Sequence, residues 1–498
     1  MMYFLGIDLG GTVVKASLFD EQGREIGSAG RRTPLIAEEP GQAERDTGGI
    51  RTLAFESIRE TLSGAGVSAD QVAAVAPTGH GKGLYTLKKD GSPGLGIVST
   101  DTRSWKIGAE QMSAPDFDRF VYARTLQPYW PAHTAPILAW LKRGHPEQYR
   151  EIAHVLLAKD LVRYFLTGTI MTERTDISGT GFWNNRESRI DQEILDRLDI
   201  SDILPAIPPV GYSHDNAGAV TDEAAAATGL RPGTPVLAGL FDVNACALAT
   251  GLERPDEMTA VVGTWGISAF VASDVSRAIE APEHFVIQEH CVPGQFLVHE
   301  ASPTSASNLE WFVETFLQDL PENERFDYCN TVVTGTPDTR VTYFPYLFGD
   351  DMGAHASGTF LGMRAGTDRK EVIRAIYEGI VFQHLRHVNK LLPVMQPPER
   401  VRFAGGATRS AVWMQLFADT LGLPVTVSPA TELGALGASI CAAVGIGAFP
   451  DYSSAMEAMT SVRDVYEPDP EKGEPLRRKQ QQFAELVRQM TPVWKAYE

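Results

Sequence analysis

Positive charge is in short supply in this chain. Its 498 residues carry 44 Lys and Arg against 63 Asp and Glu, a formal net charge of −19. That imbalance repels nucleic-acid phosphates and anionic membrane surfaces, so neither is an expected partner. A small anionic ligand is still admissible, because glycine nests and single cations can hold one. Cysteine is scarce too: Cys246, Cys291, Cys329 and Cys441 are widely scattered and show no C-x-x-C spacing. This excludes a disulfide scaffold, makes structural zinc improbable and suits a reducing cytosol. Asp8 follows only a handful of apolar residues, so no signal peptide is expected, and the anticipated location is cytoplasmic. Long uncharged runs are nearly absent. The exception, "LGALGASICAAVGIGAFP" (433–450), holds four glycines and mostly small side chains. It reads as a buried helix ending in a Gly-rich turn, since its affinity for a membrane would be poor.

What is present begins with "GIDLGGTVVKASLFDEQG" (6–23). A dinucleotide loop needs G-x-G-x-x-G leading into a helix, but here only Gly10 and Gly11 are available. "TVVKASLFD" is rich in β-branched residues and roughly alternating, which predicts a second strand. The stretch is therefore a hairpin with a tight Gly turn and Asp8 at its mouth. Such a turn lets backbone N–H groups approach a phosphate, and Asp8 beside that phosphate calls for an intervening Mg²⁺ ion. An ordinary hairpin is the alternative from this segment alone.

The length predicts two large domains. "REIGSAGRRT" reads as a third strand, "IRTLAFESIRETL" as a helix and "QVAAVAPTG" as a buried strand, in an α/β pattern. "PVLAGLFDVNACALATG" (235–251) predicts a buried strand, Asp242 and an Ala-rich helix. "EMTAVVGTWGISAFVAS" (257–273) then repeats strand, glycine turn, strand, with "QFLVHE" as a third strand. The opening pattern thus returns half a chain later, which suggests two similar domains with a boundary near Arg254. "VRFAGGATRSAVWMQLFADTLG" (401–422) adds strand, Gly-Gly turn and helix. The charged C-terminal "EKGEPLRRKQQQFAELVRQM" reads as a charged helix that forms a solvated edge.

Two glycine hairpins could clamp a polyphosphate, with Lys15 reaching the transferred phosphoryl group. Gly405-Gly406, at the start of a helix, suits a nucleotide's sugar or α-phosphate. Asp242 is either a helix cap or the carboxylate that accepts a proton from an attacking hydroxyl. Asp101 and Arg103, in "VSTDTRSW", form either a surface ion pair or a pair that bonds adjacent sugar hydroxyls.

Asp8-Leu9-Gly10-Gly11-Thr12, "STDTR", "GLFD", "GTWG", "GGATRSAVWMQLFAD" and "ELGALGAS" occur in the order seen in the FGGY carbohydrate kinases, and the chain resembles that family over nearly its whole length. The resemblance implies an α/β fold of two ribonuclease-H-like (actin-like ATPase) domains around a central cleft. Residues 1–253 would form the sugar-binding domain and residues 254–498 the nucleotide-binding domain. It implies ATP and Mg²⁺, Asp242 as catalytic base and Asp8 near the metal. Gly10, Gly11, Thr12, Lys15, Gly263 and Thr264 would meet the phosphates. Gly405, Gly406, Ala407 and Ser410 would lie by the adenosine, with Ser305–Glu310, including Ala306 and Glu310, as another nucleotide-side segment. The substrate would meet His80, Gly81, Lys82, Asp101, Arg103 and Asp242. "TGHGKG" (78–83) departs from the equivalent stretches of glycerol kinases and xylulokinases. "GKGLYTL", "GLFDV" and "HEASPTSASNLEWF" look most like the L-xylulose/3-keto-L-gulonate kinases. The expected reaction is ATP-dependent phosphorylation of a small sugar, a ketopentose or keto-sugar acid, in carbohydrate catabolism. D-xylulose, a tetritol or a pentitol stands as the alternative substrate, and a non-kinase actin-like ATPase as the alternative class. A homodimer is left open.

Overall fold

The computed structural model describes residues 2–114, 116–263, 265–336, 338–349 and 356–496. Contacts divide the chain into two units. The first holds Met1–Glu253, Ala272–Val298 and Glu432–Thr460, and the second Arg254–Val271, His299–Thr431 and Ser461–Glu498. The first cut falls at Glu253–Arg254, and two later segments return to the first unit.

In the first unit, β1 (Tyr3–Leu9), β2 (Val13–Asp20) and β3 (Glu25–Arg32) form an antiparallel meander. Their β-branched and aromatic residues fit a pleated surface covered by helices, and the turns fall at the Gly-rich stretches. On its other edge β1 pairs in parallel with β4 (Val72–Gly79). β5 (Pro235–Leu237) and β6 (Leu240–Phe241) both run parallel to β4. Helix α1 (Thr47–Ala65) is started by the Asp46 side chain, which accepts from Gly48 N, and stopped by Gly66 in the left-handed region. It buries Ile50, Ala54, Phe55 and Ile58 with Leu5, Leu18, Val75 and Leu161 in one apolar core.

The uncharged run becomes helix α7 (Leu433–Gly445), buried over its first eleven residues. It packs on β1, where a Cβ at Gly6 would fall 2.0 Å from the Ala435 carbonyl oxygen. Among the described residues no helix is long and apolar enough to cross a membrane.

The second unit repeats the plan. β7 (Glu257–Val262) and β8 (Gly266–Ala272) form a hairpin flanked by β9 (Phe296–Ser302), and β7 runs parallel to β10 (Arg400–Ala404) and β10 to β11 (Val425–Val427). The charged C-terminal stretch forms a helix with a solvated edge, and its other face is buried. Pro470–Lys495 buries Leu476, Phe483, Val487 and Trp494, and Phe344 packs on the rings of Phe483 and Trp494. Its charged residues cover one face only.

Candidate active site

Parallel pairing decides where the first unit's polar residues gather. Asp8 on β1 is in register with Thr78 on β4, and Thr78 with Leu240 on β6. The strands therefore end side by side, and their C-terminal exits carry Asp8, His80–Lys82 and Asp242 to the same edge, where α/β folds bind ligands. The Phe241 ring lies against Gly81, where a Cβ would come within 2.5 Å of it. Only glycine lets the His80–Lys82 loop approach the residue before Asp242 this closely.

Asp242 is the first residue of helix α4 (Asp242–Ala249), one past the cap position, which Phe241 occupies without a side-chain bond. Burial pushes the Asp242 carboxyl well above its usual range, and the charges of Asp8 and Asp176 push it further. The Val243 N–H and the Lys82 ammonium pull the other way. Lys82 answers in kind: burial lowers its ammonium to about 8, and Asp242 opposes that fall. Its backbone sits at φ 64, in the left-handed region, and Thr134 Oγ1 donates to the next carbonyl, Gly83 O, at 2.7 Å.

Asp8 is pushed up to about 6, mainly by burial and next by repulsion from Glu432, with Lys15 opposing. Lys15 Nζ bonds both Glu432 oxygens, at 3.0 and 2.9 Å, and so is engaged instead of standing free. The glycine turn itself closes through Gly10 N donating to Val13 O at 3.0 Å, leaving Gly11 and Thr12 exposed.

Asp101 and Arg103 satisfy each other and their neighbours. Arg103 Nε donates to the Asp101 oxygens at 3.0 and 2.9 Å, and Ala43 N donates to Asp101 Oδ2 at 2.7 Å. Arg103 Nη1 lies 2.6 Å from Glu44 Oε1. Asp101 is fully buried, so the surface ion pair considered from sequence is a buried one. The loop reaches the Lys82 neighbourhood through Trp130, whose Nε1 donates to Ser99 O at 3.2 Å and whose ring lies 5.9 Å from Lys82 Nζ.

In the second unit, a Cβ at Gly405 (φ 97) would fall 2.7 Å from Val262 O, so β10 can leave the sheet against β7 only with glycine there. Gly406 and Ala407 follow in a short 3₁₀ turn. Ser410 caps helix α6 (Ala411–Leu421) and donates to Asn330 Oδ1 at 2.6 Å. Ala306 N donates to Gly263 O at 3.0 Å, joining the hairpin turn to the start of helix α5 (Ser307–Phe316). Glu310 stands exposed in the first turn of α5. Thr264 lies outside the described residues.

Residues 3–249 match the N-terminal domain of the FGGY family of carbohydrate kinases, and residues 258–446 match its C-terminal domain. The chain belongs to this family. It is 35% identical over 490 residues to the L-xylulose/3-keto-L-gulonate kinase of Escherichia coli, covering 97% of this chain and 96% of that protein. It is 33% identical to a probable L-xylulose kinase of Pasteurella multocida, covering 98% and 99%. The structure superposes on the xylulose kinase of Rhodospirillum rubrum with a TM-score of 0.88 at 27% identity, covering 99% of this chain and all of the other. The fold is thus the two-domain α/β fold of actin-like ATPases, and the enzyme is a sugar kinase from a family that uses ATP.

Several residues beside these candidate site residues carry no sequence signal of their own. Arg45, buried to 4% exposure, donates from Nη1 to Gly10 O at 3.1 Å and from Nη2 to Gly11 O. Tyr85, interacting with Arg45, lies with its hydroxyl 2.9 Å from His80 Nε2. Burial, then the Arg45 charge, lowers His80 to about 3, so the imidazole is neutral. A continuous polar chain therefore runs from the His80 loop to the glycine turn. His133 is also neutral through burial and the nearby Lys82 charge, and no hydrogen bond among the described residues reaches its Nε2. Arg45→Met should remove the two bonds that hold the turn. Steady-state kinetics are expected to show kcat/KM for nucleotide reduced about tenfold or more, the scale of a small misplacement. Unchanged kinetics with a lower melting temperature would make Arg45 a packing residue only.

Proposed function

We propose that this kinase transfers the γ-phosphoryl group of ATP to a hydroxyl of an acidic keto-sugar or the related ketopentose, of the L-xylulose/3-keto-L-gulonate type, in carbohydrate catabolism. The observation that carries the substrate class is the half-buried Lys82 ammonium within electrostatic reach of Asp242. Asp242 accepts the attacking hydroxyl's proton, the role a carboxylate plays in phosphoryl transfer. His80, Gly81, Asp101 and Arg103 frame the sugar side, with Lys82 facing a substrate carboxylate. Gly11 and Thr12 offer exposed backbone to phosphate, beside Gly10, whose own N–H closes the turn on Val13 O. In the second unit Gly263, Ala306, Glu310, Gly405, Gly406, Ala407 and Ser410 form the nucleotide side. Lys15 would have to exchange Glu432 for phosphate to take part.

Mg²⁺ is the metal this reading requires, and Asp8 fits it. No hydrogen bond among the described residues reaches Asp8 Oδ1, and a Cβ at Gly434 would lie 2.3 Å from Oδ2, so glycine there leaves the carboxylate its room. No three His, Cys, Asp or Glu gather as a metal cluster among the described residues. That suits an ion that keeps several waters and takes few protein ligands. When bound, Mg²⁺ neutralises phosphate charge. The four cysteines are all free thiols, which supports a cytoplasmic location.

The test is coupled ADP release over 3-keto-L-gulonate, L-xylulose, D-xylulose, tetritols and pentitols. Turnover highest on the acid or on L-xylulose supports the reading. A preference for D-xylulose or a polyol overturns the substrate class, and release stimulated only by a protein or polymer overturns its role here as a sugar kinase.

A further inference from the structure

Beneath Asp242 lies a closed group of charges that the phosphoryl transfer does not itself use. Lys159 and Arg163 on helix α2 (Ala158–Thr167) face Asp160, Glu173 and Asp176, and all five side chains are fully buried. Lys159 Nζ lies 2.7 Å from Asp160 Oδ1, 3.3 Å from Glu173 Oε1 and 3.2 Å from Asp176 Oδ2. Three carboxylates thus stand against two cations, and a surplus buried charge is too costly to leave unbalanced. One carboxylate must hold a proton.

The hydrogen bonds identify which one. Glu173 accepts from Thr175 N, Thr175 Oγ1, Asp176 N and Ser213 Oγ, at 2.9, 2.8, 3.0 and 2.8 Å. Asp160 accepts from Leu157 N at 3.1 Å and from both cations. Against the effect of burial, Lys159 and Arg163 hold the Asp160 carboxyl below its usual range, and Glu173 has donors on every side. Asp176 has only the Lys159 ammonium, 3.2 Å from Oδ2, and no hydrogen bond among the described residues reaches its Oδ1.

The group is also tied to the reacting edge. Thr175 Oγ1, in the same short helix α3 (Arg174–Ile177), accepts from the N–H of Phe241, the residue before Asp242, at 2.9 Å. The other charged groups around this helix are spoken for or more distant in effect. Arg174 Nη1 pairs with Glu289 at 3.1 Å, and Lys82, whose Cγ lies 3.8 Å from where a Cβ on Gly179 would sit, acts on Asp242.

We propose that Asp176 is a positioning residue that carries the proton in the resting enzyme, so that of the two neighbouring carboxylates Asp242 is the one left ionised to act as base. This rests on Asp242 being the base. Burial, together with Asp160 and Glu173, raises Asp176 to about 8 against the pull of Lys159, in keeping with that geometry.

Asp176→Asn mimics the protonated form and cannot lose its proton. At pH 7 it should keep kcat/KM for the sugar within about threefold, with the acid limb of the pH profile moved by less than about 0.3 unit. The native pKa lies above the unfolded one, so the proton's contribution to stability is complete below about pH 4 and lost as pH rises through about 8. The melting temperature of wild type should therefore fall relative to the variant over that window and level off above it. An infrared carbonyl stretch of a buried carboxylic acid, present in wild type at pH 6.5, should vanish in the variant. A missing stretch, or an acid limb about one unit lower in Asp176→Asn, means that Asp176 is ionised at rest and overturns the proposal. The infrared and melting readouts need no sugar turnover, so they separate this assignment from failure of the substrate reading. The infrared measurement on wild type also stands if the variant fails to fold.

Discussion

Asp242→Asn should lower kcat by about 10²-fold or more, the usual cost of losing a general base. The substitution is nearly isosteric and leaves the first turn of α4 intact, since Phe241, not Asp242, occupies the cap position. Nucleotide affinity should barely change. Stability should hold or rise, because the variant removes a carboxylate whose charged form burial and the neighbouring Asp8 disfavour. Activity bought at the expense of stability is common at such sites. Pre-steady-state kinetics, equilibrium nucleotide binding and thermal melting give the three readouts. Near-normal kcat with a reduced melting temperature would show that Asp242 serves the fold and not the chemistry.

The second large effect concerns Lys82. A partly desolvated ammonium–carboxylate bond contributes roughly 1.5–3 kcal/mol, whereas an uncharged ketopentose gains only hydrogen bonds from the same group. Lys82→Met should therefore lower kcat/KM on 3-keto-L-gulonate by about 10- to 150-fold relative to L-xylulose. The variant also removes the cation that opposes the rise of Asp242, so both substrates should slow at acid pH. The selective loss is best read near pH 7.5. Wild type offers an independent check: Lys82 titrates at about 8, so the preference for the acid should fade as pH rises past that value. Equal effects on both substrates, or none on either, would remove Lys82 from the substrate site.

Much of the fold was legible in the sequence because its cause is local. Alternation in "TVVKASLFD" and "TAVVGTWGISAFVA" specifies hairpins through side-chain period alone, and the return of that pattern marks a second domain of the same design. Gly10-Gly11 and Gly405-Gly406 read as turns because glycine pairs break regular structure, although only Gly405, at φ 97, has a backbone that needs glycine. Asp8, Lys82 and Asp242 were visible as chemistry-bearing residues at strand ends. Their mutual coupling was not, since it depends on β1, β4 and β6 ending side by side.

What tertiary structure alone decided are the partners. An apolar helix such as Leu433–Gly445 announces that it is buried but not against which sheet, and the close approach of Gly6 to Ala435 places it in the first unit. Lys15 reads as a free cation until Glu432, distant in sequence, meets it. Arg45, His133 and Asp176 are unremarkable letters in their own segments. Arg45 matters because two glycine carbonyls come within its reach, His133 because Lys82 is near, and Asp176 because two cations face three carboxylates. Backbone periodicity is set by near neighbours, so sequence carries it. The charge state and bonding of a buried polar group are set by whatever the fold brings against it, and only the assembled chain determines that.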